Sequence, residues 1–165
     1  MKPKNRSVPI SLRWAWYAWA ELTPDVLYQV LRLRSAIFVV EQDCVFPDMD
    51  GRDPQCEHLC GWRVNELTAY LRLVPPGVRT PEVALGRVVV AQSARGTGLG
   101  RAVMLEGLAR CAQRYPGQPV KVSAQQHLEA FYNSLGFATV SEAYLEDGIW
   151  HVDMCRSGFS RDNRA

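Results

Sequence analysis

The chain has 165 residues, 47% of them hydrophobic and 22% charged, with a formal net charge of +2. That length suits one domain, the balance excludes disordered, collagenous and coiled-coil classes, and no window reaches the roughly 18–20 apolar residues of a membrane span. A generic nucleic-acid binder would carry a more lopsided charge, so that class is set aside.

In chain order, residues 1–10, with Lys2, Lys4 and Arg6, read as a loose basic tail. Arg13 interrupts the apolar run that follows, and Trp14, Trp16 and Tyr17 look like an alternating strand rather than the core of a secretory signal. A strand over 13–18 leads to Thr23-Pro24-Asp25, a helix start with a hydroxyl cap, a proline at the first helical position and an acid near the positive end of the dipole. Val26, Leu27, Val30, Leu31, Leu33, Ile37 and Phe38 then recur at helical spacing to about residue 40. Residues 43–54, rich in aspartate, proline and glycine, read as a loop. The stretch from Glu41 to Glu57 carries six acids against Arg52 alone, a local imbalance set against the positive remainder of the chain.

Runs at 57–64 and 67–73, joined by Asn65-Glu66, have hairpin spacing, with Asn65 able to take a positive φ. Residues 83–90 form a strand whose end, Val88-Val89-Val90, is apolar on both faces, as in a central buried strand. A loop over 92–98 leads to a helix over 98–114, closed by Tyr115-Pro116-Gly117. A short strand over 120–124, a short helix over 128–135 ended by Gly136, and strands at 137–144 and 149–154 around a Glu146-Asp147-Gly148 turn complete the chain. With no repeats and no linker, the whole chain 1–165 reads as one mixed α/β domain, its core at about 11–157 and loose tails at 1–10 and 158–165.

The five cysteines are odd in number and scattered, which points to reduced thiols in a cytoplasmic protein. Cys56, His58 and Cys60 lack the spacing of a zinc site and would share one face of a strand, so no metal is expected.

The sharpest local feature is Arg95-Gly96-Thr97-Gly98-Leu99-Gly100-Arg101 between a buried strand and a helix. Glycines let backbone N–H groups converge on one point, and the helix start adds partial positive charge, an arrangement suited to phosphate or pyrophosphate. A Walker loop would need Gly-Lys-Ser/Thr, which is absent; a dinucleotide loop would need a third glycine where Arg101 stands. The pattern R/Q-x-x-G-x-G/A is filled by Arg95, Gly98 and Gly100. Downstream, residues 128–137 contain Ala130, Phe131-Tyr132 and Gly136-Phe137. Together the two segments resemble the pyrophosphate loop and the A-x-x-F-Y-x-x-x-G-F helix of the GCN5-related N-acetyltransferases (GNAT). Leu31 to Gln42, the Asp48-x-Asp50-x-x-Asp53 loop, and Glu146-Asp147-Gly148-Ile149 with His151 further resemble the ElaA-like branch.

That resemblance covers about residues 22–156 and implies a GNAT-like α/β (α+β) fold with a mixed central sheet. It implies acetyl transfer from acetyl-CoA to a small-molecule or peptide amine by direct attack on the thioester. The loop amides of Arg95, Gly96, Thr97, Gly98, Leu99, Gly100 and Arg101 would hold the pyrophosphate. Val88, Val89 and Val90 would pair with the pantetheine arm where their strand splays from the next, which ends at Ala124 and supplies a polarising N–H. Leu128 and Phe131 would pack near the acyl group, and Tyr132 matches the usual general acid. Candidates for the base are Glu41, Glu57, His58, His127 and His151; the branch resemblance favours His151 and Glu41. It also implies the acidic segment borders the acceptor side, either as a field for a cationic amine or as a plainly solvated loop. The superfamily often dimerises. A non-catalytic acyl-CoA sensor and an acyltransferase with another acyl donor remain alternatives.

Overall fold

The computed structural model describes residues 11–158; the two tails, at 1–10 and from 159 onward, lie outside the described residues. Strand β1 (Leu12–Ala18) leads to helix α1 (Pro24–Arg34), where the Thr23 hydroxyl accepts from the Val26 amide. The helical path then widens over Ser35–Glu41, where Gln42 N donates to the Ile37 carbonyl and Cys44 N to that of Val39, five residues back. Such single wide turns re-aim side chains that regular winding would place elsewhere, and they recur at functional sites.

Strands β2 (Glu57–Arg63), β3 (Glu66–Val74) and β4 (Val83–Val90) follow, then helix α2 (Leu99–Arg114) and strand β5 (Val120–Gln125). The expected short helix is a 3₁₀ turn, Gln126–Leu128, running into the five-residue α3 (Glu129–Asn133). The strand expected over 137–144 is instead two pieces, β6 (Ala138–Thr139) and β7 (Tyr144–Glu146), before β8 (Ile149–Arg156). Asp147 and Gly148 both have positive φ, as a tight two-residue hairpin turn requires. In the β2–β3 turn the left-handed residue is Val64, at φ 57, and not Asn65.

The sheet order is β1-β2-β3-β4-β5-β8-β6, with β7 also on β8, and every pairing is antiparallel except β4–β5. Alternation in β3 builds both layers. Ala69, Leu71 and Leu73 face α2 with Val103, Met104 and Leu108, while Tyr70 faces α1 with Val30, Ile37 and Val89. Each large apolar side chain taken fully from water contributes roughly 1.5–3 kcal/mol, so the two helices are fixed to opposite faces chiefly by these residues.

Two irregularities position the site. The β3–β4 register slips between Tyr70 and Arg72, giving β4 one extra residue where Arg87 sits at φ 51. The parallel pairing of β4 with β5 is confined to Val83 with Val120 and Ala84 with Lys121. Beyond those pairs the strands part.

Candidate functional site

The gap between β4 and β5 opens into a cavity of about 200 Å³. Phe38 from the widened turn, Gly86 and Val88 from β4, Ser123 from β5, Tyr132 from α3, and Glu146 with His151 from the β7–β8 hairpin all contribute to its wall. Tyr132 is held edge-on by Phe131 at 5.2 Å and by Phe137 at 5.9 Å between ring centroids. Its residue is 7% exposed, and its hydroxyl has no hydrogen-bond partner among the described residues. Burial pushes this phenol up to about 12, so it stays protonated at neutral pH.

His151 Nδ1 lies 2.8 Å from the Ile149 carbonyl oxygen. A carbonyl only accepts, so Nδ1 carries the proton and Nε2 keeps its lone pair when the ring is neutral. The ring stacks on Tyr144 at 6.1 Å with 24° between planes, which fixes its orientation.

At the glycine loop, Gly96 (φ 73) and Gly98 (φ 79) are left-handed, a conformation in which a side chain would be strained. A Cβ built on either meets nothing within 4 Å, so the demand for glycine there is conformational and not steric. Gly98 is the N-cap of the 16-residue α2 and offers no side-chain cap. The first-turn amides are left to an external acceptor, which suits an anion. Thr97 Oγ1 donates to the Ala94 carbonyl at 2.7 Å, steadying the loop. Arg95 turns to Glu41 at 2.8 Å, and Arg101 donates to Ser134 Oγ at 3.1 Å.

The other sequence candidates divide by position. Val88 and Leu128 line the cavity. Val89 is buried toward α1, Val90 packs toward the α2 layer, Leu99 is buried in that layer, and Ala124 is buried opposite Val152 of β8. Past Ala84 the backbone edge of Val88, Val89 and Val90 facing β5 has no strand partner. Glu41 is not among the residues that line the cavity, and its carboxylate pairs with Arg95. His58 is buried: its Nε2 donates to the Asp53 carbonyl at 3.0 Å, so Nδ1 accepts from the Tyr70 hydroxyl at 2.8 Å. Burial holds this ring below the usual imidazole range. Glu57 is engaged by Arg110 at 2.5 Å and Arg114 at 3.3 Å, and His127 is exposed.

The acidic segment corrects both of its sequence readings. Asp48 binds Arg34 and Arg87, each at 2.7 Å. Asp53 binds Arg34 and Arg72, each at 2.8 Å, and Asp50 binds Arg72 at 2.7 Å. Asp48, Asp50 and Asp53 are neither a free field for a cationic acceptor nor plainly solvated; their charge is spent on guanidinium groups, of which Arg34 and Arg72 are 0% and 1% exposed, while Asp43 of the same loop is exposed. Hydrogen bonds from arginine outweigh the upward push of burial and hold the Asp50 and Asp53 carboxyls below the ordinary range.

Sequence reading missed Arg87, Ser123, Gln125 and Tyr144, all at or beside the cavity. The alternation in β5 of Val122 and Ala124 with Ser123 and Gln125 was the available signal for two of them. Among the described residues no group of three or more His, Cys, Asp or Glu is arranged to hold a metal ion, and no helix is long and apolar enough to cross a membrane.

The sequence model described as "Acetyltransferase (GNAT) domain" matches residues 67–157. Over 147 residues the chain is 41% identical to Protein ElaA of Escherichia coli, spanning 88% of this chain and 96% of that protein. The crystal structure of an acyl-CoA N-acyltransferase from Pseudomonas aeruginosa superposes with a TM-score of 0.85 at 44% identity, over 88% of this chain and 99% of that one. Escherichia coli ElaA superposes at 0.83, with 40% identity and the same coverage of each. The parted strands, the glycine loop capping α2 and the Phe-Tyr helix thus sit in a chain that belongs to the GNAT acetyltransferase family, on its ElaA-like branch, and is an acyltransferase.

Proposed function

We propose that the chain transfers the acetyl group of acetyl-CoA to a primary amine, which attacks the thioester directly. The observation that carries this reading is the unpartnered hydroxyl of the buried Tyr132 in the wall of the gap between β4 and β5. A thiolate leaving such a gap needs a proton donor, and this phenol has a proton that no other group among the described residues claims.

The remaining groups fit the same reading. Acetyl-CoA supplies an activated acyl group and an anionic pyrophosphate. The amides of residues 95–101, with Gly96 and Gly98 left-handed, suit the pyrophosphate. The free edge of β4 at Val88–Val90 offers backbone partners to the amides of an extended arm. His151 Nε2 takes the proton the ammonium must lose before its nitrogen can attack. The nitrogen bonds to the carbonyl carbon, the C–S bond breaks with its electron pair going to sulfur, Tyr132 protonates the thiolate, and the second proton that the new amide nitrogen sheds restores the phenol.

Thiol release from acetyl-CoA across a panel of primary amines, polyamines and peptides tests the reading. Tyr132→Phe is expected to lower kcat about tenfold or more while acetyl-CoA affinity is kept. Unchanged turnover would remove Tyr132 from the role. Tight acetyl-CoA binding without turnover on any amine would favour a sensor, and faster turnover with a longer acyl-CoA would change the donor.

A further inference from the structure

The sheet face beneath the cavity carries a chain of polar groups that the reaction as described leaves unused. β5 directs Lys121, Ser123 and Gln125 to one face, and β8 sets Cys155, Asp153 and His151 opposite them in turn. Lys121 Nζ lies 3.1 Å from Asp153 Oδ2, the Tyr144 hydroxyl donates to Asp153 Oδ1 at 2.8 Å, and Ser123 Oγ lies 2.5 Å from the Tyr144 oxygen.

The direction of each proton follows from the chemistry of the partners. A carboxylate paired with lysine only accepts, so the Tyr144 proton points to Asp153. The phenol oxygen can then only accept from Ser123, and Ser123 must donate. Every proton in the chain runs away from the cavity, and the capacity that Ser123 Oγ retains is its lone pairs. His151 is in the same state, its Nδ1–H spent on the Ile149 carbonyl and its Nε2 left over. Gln125 spends one of its two amide N–H groups on Gln42 Oε1 at 3.0 Å and keeps the other beside Oε1. One Gln125 N–H aside, the unspent polar capacity of this wall is acceptor capacity, at Ser123 Oγ, Gln125 Oε1 and His151 Nε2, offered to a ligand rich in N–H groups. A thioester carbonyl, which needs a donor, finds none in Ser123.

We infer that Ser123 orients the acceptor amine by accepting one of its N–H groups, and that Tyr144 is the positioning residue that turns the serine lone pairs toward the cavity. This deepens the proposed amine acetylation and rests on it. An ammonium group has three N–H bonds for three acceptors: Ser123 and Gln125 orient the nitrogen and His151 receives the proton. A secondary amine is one N–H short.

The test compares kcat/KM for phenethylamine and N-methylphenethylamine at saturating acetyl-CoA in the wild type, Ser123→Ala and Tyr144→Phe. The probes suit the aromatic lining from Phe38 and Phe46. The wild type is expected to prefer the primary amine about tenfold, and Ser123→Ala to lose about tenfold on it, the scale of one charge-assisted hydrogen bond. In that variant the preference shrinks to about twofold while KM for acetyl-CoA stays within about twofold, because only the amine's contact is removed. Tyr144→Phe keeps the ring on His151 and is expected to show the same change at about threefold. Equal losses on both amines, or an unchanged preference, would mean that Ser123 is merely structural and would overturn the inference. Where the probes bind without turnover, calorimetry on the enzyme–CoA complex reads the same ratio, and no binding of either probe overturns it as well. Failure to bind acetyl-CoA, or silence across the whole amine panel, would count instead against the acetyl-transfer reading.

Discussion

Asp53→Asn separates a charge cluster that builds the fold from one that merely decorates it. Asp53 Oδ1 accepts from Arg34 and from Arg72, both at 2.8 Å, and the two arginine side chains are 1% and 2% exposed. With Asp48, Asp50 and Arg87 the inner part of the cluster sets three carboxylates against three guanidiniums, and the more exposed Arg52 adds a fourth at 3.3 Å from Asp50. The substitution keeps the shape and leaves one buried positive charge unmatched. Breaking a buried pair costs about 3–5 kcal/mol, and the lower end applies because Arg34 keeps Asp48 and Arg72 keeps Asp50. At roughly 2–4 °C per kcal/mol for a chain of this size, Tm should fall by about 6–12 °C. Thermal and urea unfolding followed by circular dichroism measure it. Burial alone would raise the Asp53 carboxyl, but hydrogen bonds and charge from Arg34 and Arg72 lower it on balance. A carboxyl depressed in the folded state contributes stability that is present above its unfolded value, about 4, and is lost as pH falls through the folded value. Wild-type Tm should therefore drop on acidification below about pH 4, and less steeply in Asp53→Asn. A variant within about 1 kcal/mol of wild type, or one with an identical acid slope, would refute the view that this cluster holds the loop.

Three further outcomes follow from local geometry. Val64, 73% exposed at φ 57, stores backbone strain of about 1 kcal/mol, so Val64→Gly should raise Tm by roughly 2–4 °C; a lower Tm would contradict it. Burial pushes the Cys56 thiol up to about 11 and those of Cys60 and Cys111 up to about 12, so Ellman's reagent at pH 8 should label at most Cys44 and Cys155 before denaturation, and fast labelling of a third thiol would refute the packing. With the Tyr132 phenol pushed up to about 12, the tyrosinate absorbance lost in Tyr132→Phe should belong to a step well above pH 10; a difference step near 10 would place its hydroxyl in water.

What the sequence made legible was whatever is encoded locally. Thr23-Pro24-Asp25 opens a helix by cap and φ preference, Asp147-Gly148 forms the hairpin turn, and Gly96 and Gly98 take the left-handed conformations that the loop needs. The Phe-Tyr pair on α3 was legible as a motif, and the edge-on packing that isolates the Tyr132 hydroxyl supplies its physical sense. What escaped depends on partners distant in sequence. Nothing near Asp48, Asp50 or Asp53 announces that Arg34, Arg72 and Arg87 are waiting on other elements. Glu41 drew notice as a base through the branch resemblance, and nothing near it announced that its carboxylate meets an arginine 54 positions away. Val64 overrode the turn preference of Asn65 because the register between β2 and β3 fixes which residue must cross at the corner.

The gap and the acidic loop are joined through Arg87. A non-glycine residue at φ 51 inside a strand is unfavourable by about 1–3 kcal/mol and persists only where surrounding contacts over-determine it. Arg87 has three. Its Nε lies 2.7 Å from Asp48 Oδ1, its terminal nitrogen donates to the Asp48 carbonyl at 2.9 Å, and its guanidinium sits 5.8 Å from the centre of the Phe38 ring. A lysine has no planar fork to span a carboxylate and a carbonyl while lying on an aromatic face, so arginine is specified there. Asp48 in turn is tied to Arg34 at the end of α1. The bulge at Arg87 shifts β4 by one residue against β3, and the pairing of β4 with β5 is confined to residues before it. The acidic segment therefore holds the bulged strand that borders the cavity, and Asp48 and Arg87 themselves stand in the cavity wall.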